Sequence, residues 1–486
     1  MVSERKSEQL AAAISDFVAA CELPALLESG ESPIPLSPER FRVDLSPKGL
    51  WLEAWDERRM WSRRILSAGQ PQRKRLELEA FRFGKKPVKV TLIDAADSRS
   101  NAALEKSFRS AFAERFRLFL NRQFGAWHLR EFRSEANLEK SQSPVYPSAI
   151  YTRSNERILA FGAPPRDTGF HALTFALIAL NSAATQRLVL YLHESFARPV
   201  VQLARRLNPN KALVDIWLYG DDGNETLLDP ADCGNLDSCL AMRVSRLAGP
   251  AWWLDIVDSH PDLDAIEEPD GSFSYRILGF EVARMLPAFG NATQKILWGP
   301  KLRSEASPAS RAALERYCQQ VRQRRRHDTP DLVDPIYLAS PERWLESSVR
   351  KNIREIDASF QGEVYGQVIG ALGGERSTAD LLALDGAGRL SVLELKASED
   401  IHLPLQAFDY WLRVREHLTA GDFQGQGYWP GRQIANLAPK LYLVAPALHF
   451  HPSTQAILSF LPRECEAEIV GLAANWRQRS SVALRM

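Results

Sequence analysis

The chain has 486 residues, 45% of them apolar and 25% charged, with a formal net charge of +1. That length exceeds what one hydrophobic core supports and predicts about three domains, with the composition of an ordinary globular protein. The longest apolar stretches, such as residues 173–180, fall well short of the ~20 residues of a membrane span, and the charged residues 1–8 lead into no signal-like segment. A cytoplasmic protein without a membrane partner is expected. The five cysteines form no CxxC pair, which argues against a disulfide framework, a zinc site or an iron–sulfur cluster.

Residues 1–35 read as a short helix and a Pro/Ser-rich lead-in. A β-meander is expected next, with strands near 41–44, 49–55, 76–83 and 88–93, followed by a helix over 102–124. On that helix Leu104, Phe108, Phe112, Phe116 and Phe119 repeat at helical spacing as an aromatic core face, with Arg109, Arg117 and Arg122 off the stripe. Residues 57–133 hold 19 Lys/Arg against 8 Asp/Glu, a local charge of +11. Arg58, Arg59, Arg63 and Arg64 flank Trp61, and Arg73, Lys74 and Arg75 open a strand. This cluster suits a phosphate-tracking surface as well as an ordinary solvated face. Residues 1–140 are therefore expected to form a basic, β-rich domain that binds nucleic acid.

Residues 141–325 read as a small α/β domain: a helix over 170–183, a strand over 187–192, a helix ending near Leu207 and a strand over 212–219. Residues 211–270 carry 3 basic and 14 acidic residues, a local charge of −11. Charge segregation on this scale predicts different domains with different tasks, and the acidic stretch invites a basic partner. The run 322–327, before residues 328–335, reads as a linker.

The chemistry is concentrated in residues 335–486. Ser340 and Pro341 begin a helix as N-cap and first helical residue. Trp344, Leu345, Val349, Ile353 and Ile356 form its buried stripe, and Glu346 and Arg350 sit a turn apart on another face. After a strand over 364–371, residues 380–385 and 389–396 form a hairpin around Gly386-Ala387-Gly388. A turn centred on Ala387 sets Asp380 opposite Glu394. Period-two alternation then gives Asp380, Glu394 and Lys396 one face, and turns Leu381, Leu393 and Leu395 into a core. Two clustered carboxylates beside a lysine suit a hard cation such as Mg²⁺, to which the Leu395 carbonyl can add an oxygen. The next helix starts at Pro404 and carries Gln406, Tyr410, Arg413 and His417 as a polar stripe. Strands over 440–445 and 466–472, with a helix over 454–461 between them, complete the domain. Asp357 and Asp385 read as helix-end and turn residues, His449 and His451 as structural ones.

The pattern Asp380-x13-Glu394-Leu395-Lys396, after a helix bearing Glu346 and before Gln406-x3-Tyr410, resembles the PD-(D/E)XK nuclease superfamily. The Gln-x3-Tyr resembles its RecB-like members, and the compact core resembles Holliday-junction resolvases. The resemblance covers residues 335–475. It implies a restriction-endonuclease-like α-β-β-β-α-β core within an α/β multidomain protein. It further implies Mg²⁺- or Mn²⁺-dependent hydrolysis of DNA phosphodiesters, in repair, recombination or defence. Asp380, Glu394 and Glu346 would hold the metal, Lys396 would orient the attacking water, and Gln406 and Tyr410 would assist. Arg350 and Arg413 add candidate DNA contacts, and a homodimer or a separate protein partner stays open. Ala379 replaces the proline often found in the signature, the four-cysteine clamp of some RecB-like members is absent, and no GxxxxGK[ST] loop signals a nucleotide cofactor. The alternative is a decayed nuclease fold that binds nucleic acid or protein without cutting.

Overall fold

The computed structural model describes residues 2–37, 39–46, 49–55, 60–72, 74–81, 87–137, 142–165, 170–229, 238–240, 242, 249–268, 270–287, 294–372 and 375–486. Its architecture is mixed α/β, with four sheets among the described residues. Contacts divide the chain into two compact units. One comprises 1–168, 187–196 and 215–227; the other comprises 169–186, 197–214 and 228–486. Among the described residues no helix is long and apolar enough to cross a membrane.

In the first unit the helix Val2–Ala19 and a seven-stranded antiparallel sheet share one core, built around Ile14, Phe17, Leu26, Leu52, Leu76 and Leu92. The sheet exceeds the expected meander. Pro24–Glu28 forms a strand inside the Pro/Ser-rich lead-in, and Met60–Ala68 forms another across the basic cluster. The helix Asn101–Phe124 follows as expected, and its Phe112, Phe116 and Phe119 pack on Tyr151, Tyr191 and Tyr219 of a six-stranded sheet. Within that sheet His128–Arg133 pairs with Ser148–Arg153. This pairing spans residue 140, where the sequence led to the expectation of a domain boundary.

The second unit holds a five-stranded antiparallel sheet spanning Leu263–Glu267 to Ser304–Glu305. The helices Ala251–Asp258 and Arg311–Arg324 pack on it through Trp253, Leu314 and Val321. The second sheet has seven strands. Its centre runs Tyr365–Leu372, Glu375–Leu384, Leu390–Leu395, Lys440–Pro446 and Glu466–Leu472. The first three of these are antiparallel to one another and the last three are parallel. Helix Pro341–Lys351 precedes these strands, and helix Leu403–Ala420 crosses between Leu390–Leu395 and Lys440–Pro446, so the expected order of helix, three strands, helix and strand is present. Leu390–Leu395 is buried at every position, as a central strand covered on both faces must be.

The run at 322–327 is no linker. Arg322 pairs with Asp262 at 2.6 Å and Arg324 with Asp334 at 2.6 Å. Arg325, 0% exposed, donates to the carbonyls of Leu278, Ile336 and Ser340 and lies over the Trp344 ring at 4.5 Å. Burial and the neighbouring Arg477 push its pKa down to about 9, which leaves it charged at neutral pH. Carbonyl dipoles and an aromatic face satisfy the guanidinium in place of a carboxylate.

Ser340 sits at the N-cap position, but its backbone is left-handed (φ 45°) and its side chain makes no cap bond. Its carbonyl instead serves Trp344 N–H and Arg325. The two-residue turn Leu278-Gly279 has positive φ at both positions (48° and 77°), the geometry of a tight hairpin. A Cβ at Gly279 would run into the backbone of Arg343 and Trp344, so the turn seats directly on the helix that bears Glu346. Gly279→Ala is expected to destabilise the protein by on the order of 2–4 kcal/mol through clash and left-handed strain. Urea unfolding checks this: a midpoint equal to wild type would show that the hairpin does not seat there.

Candidate functional site

The hairpin register is the expected one. Leu381 pairs with Leu393 and Leu384 with Leu390, so the next step sets Asp380 opposite Glu394. Gly388 (φ 83°) turns the chain, and Asp385 Oδ1 accepts from Ala387 N–H and Arg389 N–H. Leu381, Leu393 and Leu395 enter the core with Trp344 and Tyr442, which leaves Asp380, Glu394 and Lys396 to the other face.

Asp380 is half-buried and its Oδ2 accepts from Leu395 N–H at 2.9 Å. That bond ties the aspartate to the next strand. Glu394 is 1% exposed, and its Oε2 has no hydrogen-bond partner among the described residues. Its other oxygen lies 3.6 Å from Lys396 Nζ. Desolvation, and then the adjacent Asp380 charge, push the Glu394 pKa well above the ordinary carboxylate range against the pull of Lys396. Lys396 has a side chain 13% exposed. Burial works against its charge, but Glu394, Glu342, Asp380 and Asp400 outweigh that and raise its pKa. A carboxylate this deeply buried, with an orphaned oxygen and a like charge alongside, is stable as an anion only near a further cation.

The expected auxiliary residues divide. Glu346 is buried, but its Oε1 lies 2.8 Å from where a Gly366 Cβ would stand, and that same Cβ would meet Leu381. The Glu346 carboxylate therefore occupies the Leu381 face, where, with Glu268, it opposes the lowering of the Arg276 pKa by burial and Arg343. A helix carboxylate whose charge acts on both Glu394 and Lys396 is Glu342, one turn earlier. Sequence reasoning passed over it, and over Asp400, because each reads alone as a surface acid. Among the described residues no group of three or more His, Cys, Asp or Glu side chains is placed to hold a metal. Mg²⁺ is commonly held by one or two carboxylates, the remainder of its shell being water and phosphate. Asp380 and Glu394 fit that donor set without Glu346.

Gln406 Nε2 donates to Tyr410 Oη at 3.0 Å, so these two residues act as one polar pair. Arg413 is buried and bound to Asp409 at 2.9 Å. Arg350 pairs with Asp264 at 3.1 Å rather than with Glu346. His449 Nδ1 meets the Ala397 carbonyl and His451 Nδ1 meets Ser453 Oγ, in keeping with structural roles. No family model matches this chain, and no curated protein matches it.

The described residues of the expected phosphate track make contacts within the protein. Arg58, Arg59 and Arg73 lie outside the described residues. Arg63 pairs with the buried Glu28 at 3.0 Å, Arg64 lies over the Phe81 ring, Lys74 binds Asp94 at 3.0 Å and Arg75 binds Glu77 at 2.8 Å. Asp94, which also accepts from Leu23 N–H and Glu22 N–H, titrates far below the usual range. The acidic stretch is similarly used: Asp262 and Asp264 engage Arg322, Arg350 and Lys351 within their own unit.

Two outcomes follow from these pairings. A carboxyl with a higher pKa in the folded state binds its proton more tightly there, so stability falls as pH rises from the ordinary value of ~4.3 through the folded value. Glu394→Gln is therefore expected to stabilise the metal-free protein at pH 7 by on the order of 1 kcal/mol or more. The two proteins should converge below about pH 4. Thermal unfolding in EDTA across pH checks this, and a destabilised Gln variant at pH 7 would contradict the desolvated charge. Arg63→Ala leaves Glu28 buried without its cation and is expected to lose about 2–4 kcal/mol. Stability equal to wild type in urea would show that Arg63 is a spare surface cation.

Proposed function

We propose that residues 335–486 form a nuclease of the PD-(D/E)XK kind, hydrolysing DNA phosphodiesters with Mg²⁺ or Mn²⁺. The observation that carries this reading is the orphaned, buried Oε2 of Glu394, set beside Asp380 and Lys396 on one face of a hairpin. Asp380 and Glu394 are the residues that would hold the cation. A divalent cation bound there supplies Lewis-acid polarisation of the scissile phosphate and a lowered pKa for an attacking water. Lys396, held protonated by four surrounding carboxylates, hydrogen-bonds the water and offsets charge developing on the phosphoryl oxygens. Asp380, fixed through Leu395 N–H, keeps its orientation as substrate enters. The Gln406–Tyr410 pair offers a polar contact to the phosphate backbone beside the site.

Repair, recombination and defence against foreign DNA all suit this chemistry. One observation favours a second reading, a decayed nuclease fold that binds without cutting: among the described residues no group of three or more His, Cys, Asp or Glu side chains is placed to hold a metal. The two readings separate in one experiment. The purified full chain is incubated with supercoiled plasmid and with single-stranded, nicked and branched DNA, with Mg²⁺, Mn²⁺ or EDTA. Metal-dependent cleavage is expected, abolished in Asp380→Ala. Lys396→Ala should lose on the order of 10²-fold or more in rate while Mg²⁺ still raises its melting temperature. DNA binding without cleavage of any substrate would replace the nuclease reading with the binding module.

A further inference from the structure

The first unit contains a cavity of about 410 Å³, within the range of ~300–1,000 Å³ typical of small-molecule sites. It shares no residue with the candidate nuclease centre, so the inference stands apart from that proposal. One wall is the helix Asn101–Phe124, which presents Glu105, Phe108, Arg109, Phe112 and Arg115. These positions fall at i, i+3, i+4, i+7 and i+10, a single helix face. The opposite wall includes Val145, Pro164 and Pro165, just beyond the strand Glu156–Gly162.

Two guanidinium groups enter this space with different commitments. Arg115 Nη2 donates to the Gly220 carbonyl at 2.8 Å, its Nε donates to Tyr191 Oη at 3.2 Å, and the group lies 4.3 Å over the Tyr219 ring. It is therefore pre-oriented, with Nη1 uncommitted. Arg109 is half-buried and makes no hydrogen bond or ion pair among the described residues. A guanidinium left unpaired in a partly desolvated, apolar-walled space is a donor set for an incoming oxyanion. Phe108, half-buried, faces the same space as the two prolines, a slot suited to a flat ring.

We infer that this cavity binds a small aromatic anion of about mononucleotide size, its phosphate or carboxylate on Arg109 and Arg115 and its ring between Phe108 and Pro164–Pro165. The stripe of phenylalanines on this helix then has two tasks: Phe116 and Phe119 fill the core while Phe108 serves the ligand.

Calorimetry on the full chain in EDTA tests this with three probes: adenosine 5′-monophosphate, indole-3-acetate and adenosine. At least one of the two anions is expected to bind with a Kd tighter than about 1 mM, and whichever binds identifies phosphate or carboxylate as the natural group. If it is the phosphate, adenosine should bind at least roughly tenfold more weakly, because it lacks the oxyanion. Arg109→Ala, which removes no contact within the fold, should weaken binding at least roughly tenfold with an unchanged unfolding midpoint. Ala111→Trp, filling the cavity, should abolish it. Absence of binding by both anions would overturn the inference, as would unchanged affinity in Arg109→Ala, which would place the anion elsewhere, for instance at Lys396.

Discussion

The candidate site depends on one antiparallel register, that of Glu375–Leu384 with Leu390–Leu395. Three leucines of the hairpin enter the Trp344 core, and a slip by one residue would exchange that apolar face for the charged one. Because the core fixes the leucines, it also fixes the carboxylates. Asp380 and Glu394 are held at adjacent positions despite mutual repulsion, and burial removes the water that would otherwise screen them. The folding energy of an apolar face thus sustains a charge arrangement that would not persist by itself.

Arg325 performs a comparable task within the same unit. Its side chain ties the Leu278 turn of the five-stranded sheet to the start of helix Pro341–Lys351. Gly279 brings that turn against the helix backbone. The helix that carries Glu342, whose charge acts on Glu394 and Lys396, is consequently set from outside residues 335–486. This is consistent with residues 249–334 falling in one compact unit with the C-terminal sheet.

Arg63 and Lys74 of the basic segment and Asp262 of the acidic segment each meet an opposite charge within the same compact unit. Arg63 finds Glu28, Lys74 finds Asp94 and Arg322 finds Asp262. A long-range ion pair leaves no trace in local composition, so a window of net charge overstates how much charge is available to a partner. Arg109, by contrast, projects into a cavity and meets no acid among the described residues.

Much of the C-terminal region was legible from residue order alone. The period-two pattern around Gly388 specified the hairpin, the facing of Asp380, Glu394 and Lys396 and the inward leucines, because strand alternation is a local property. The helices Asn101–Phe124, Phe170–Ala183 and Leu403–Ala420 likewise follow from periodicity. Tertiary structure decided what local pattern cannot hold. It turned Glu346 to the Leu381 face and brought Glu342 and Asp400 into the field of Lys396. It also converted the run at 322–327 from an expected linker into a buried clamp. Asp400 lies only four residues from Lys396, but Glu346, Glu342 and Arg325 act on partners far along the chain, where a side chain's environment is set by the element packed against it and not by its neighbours in sequence.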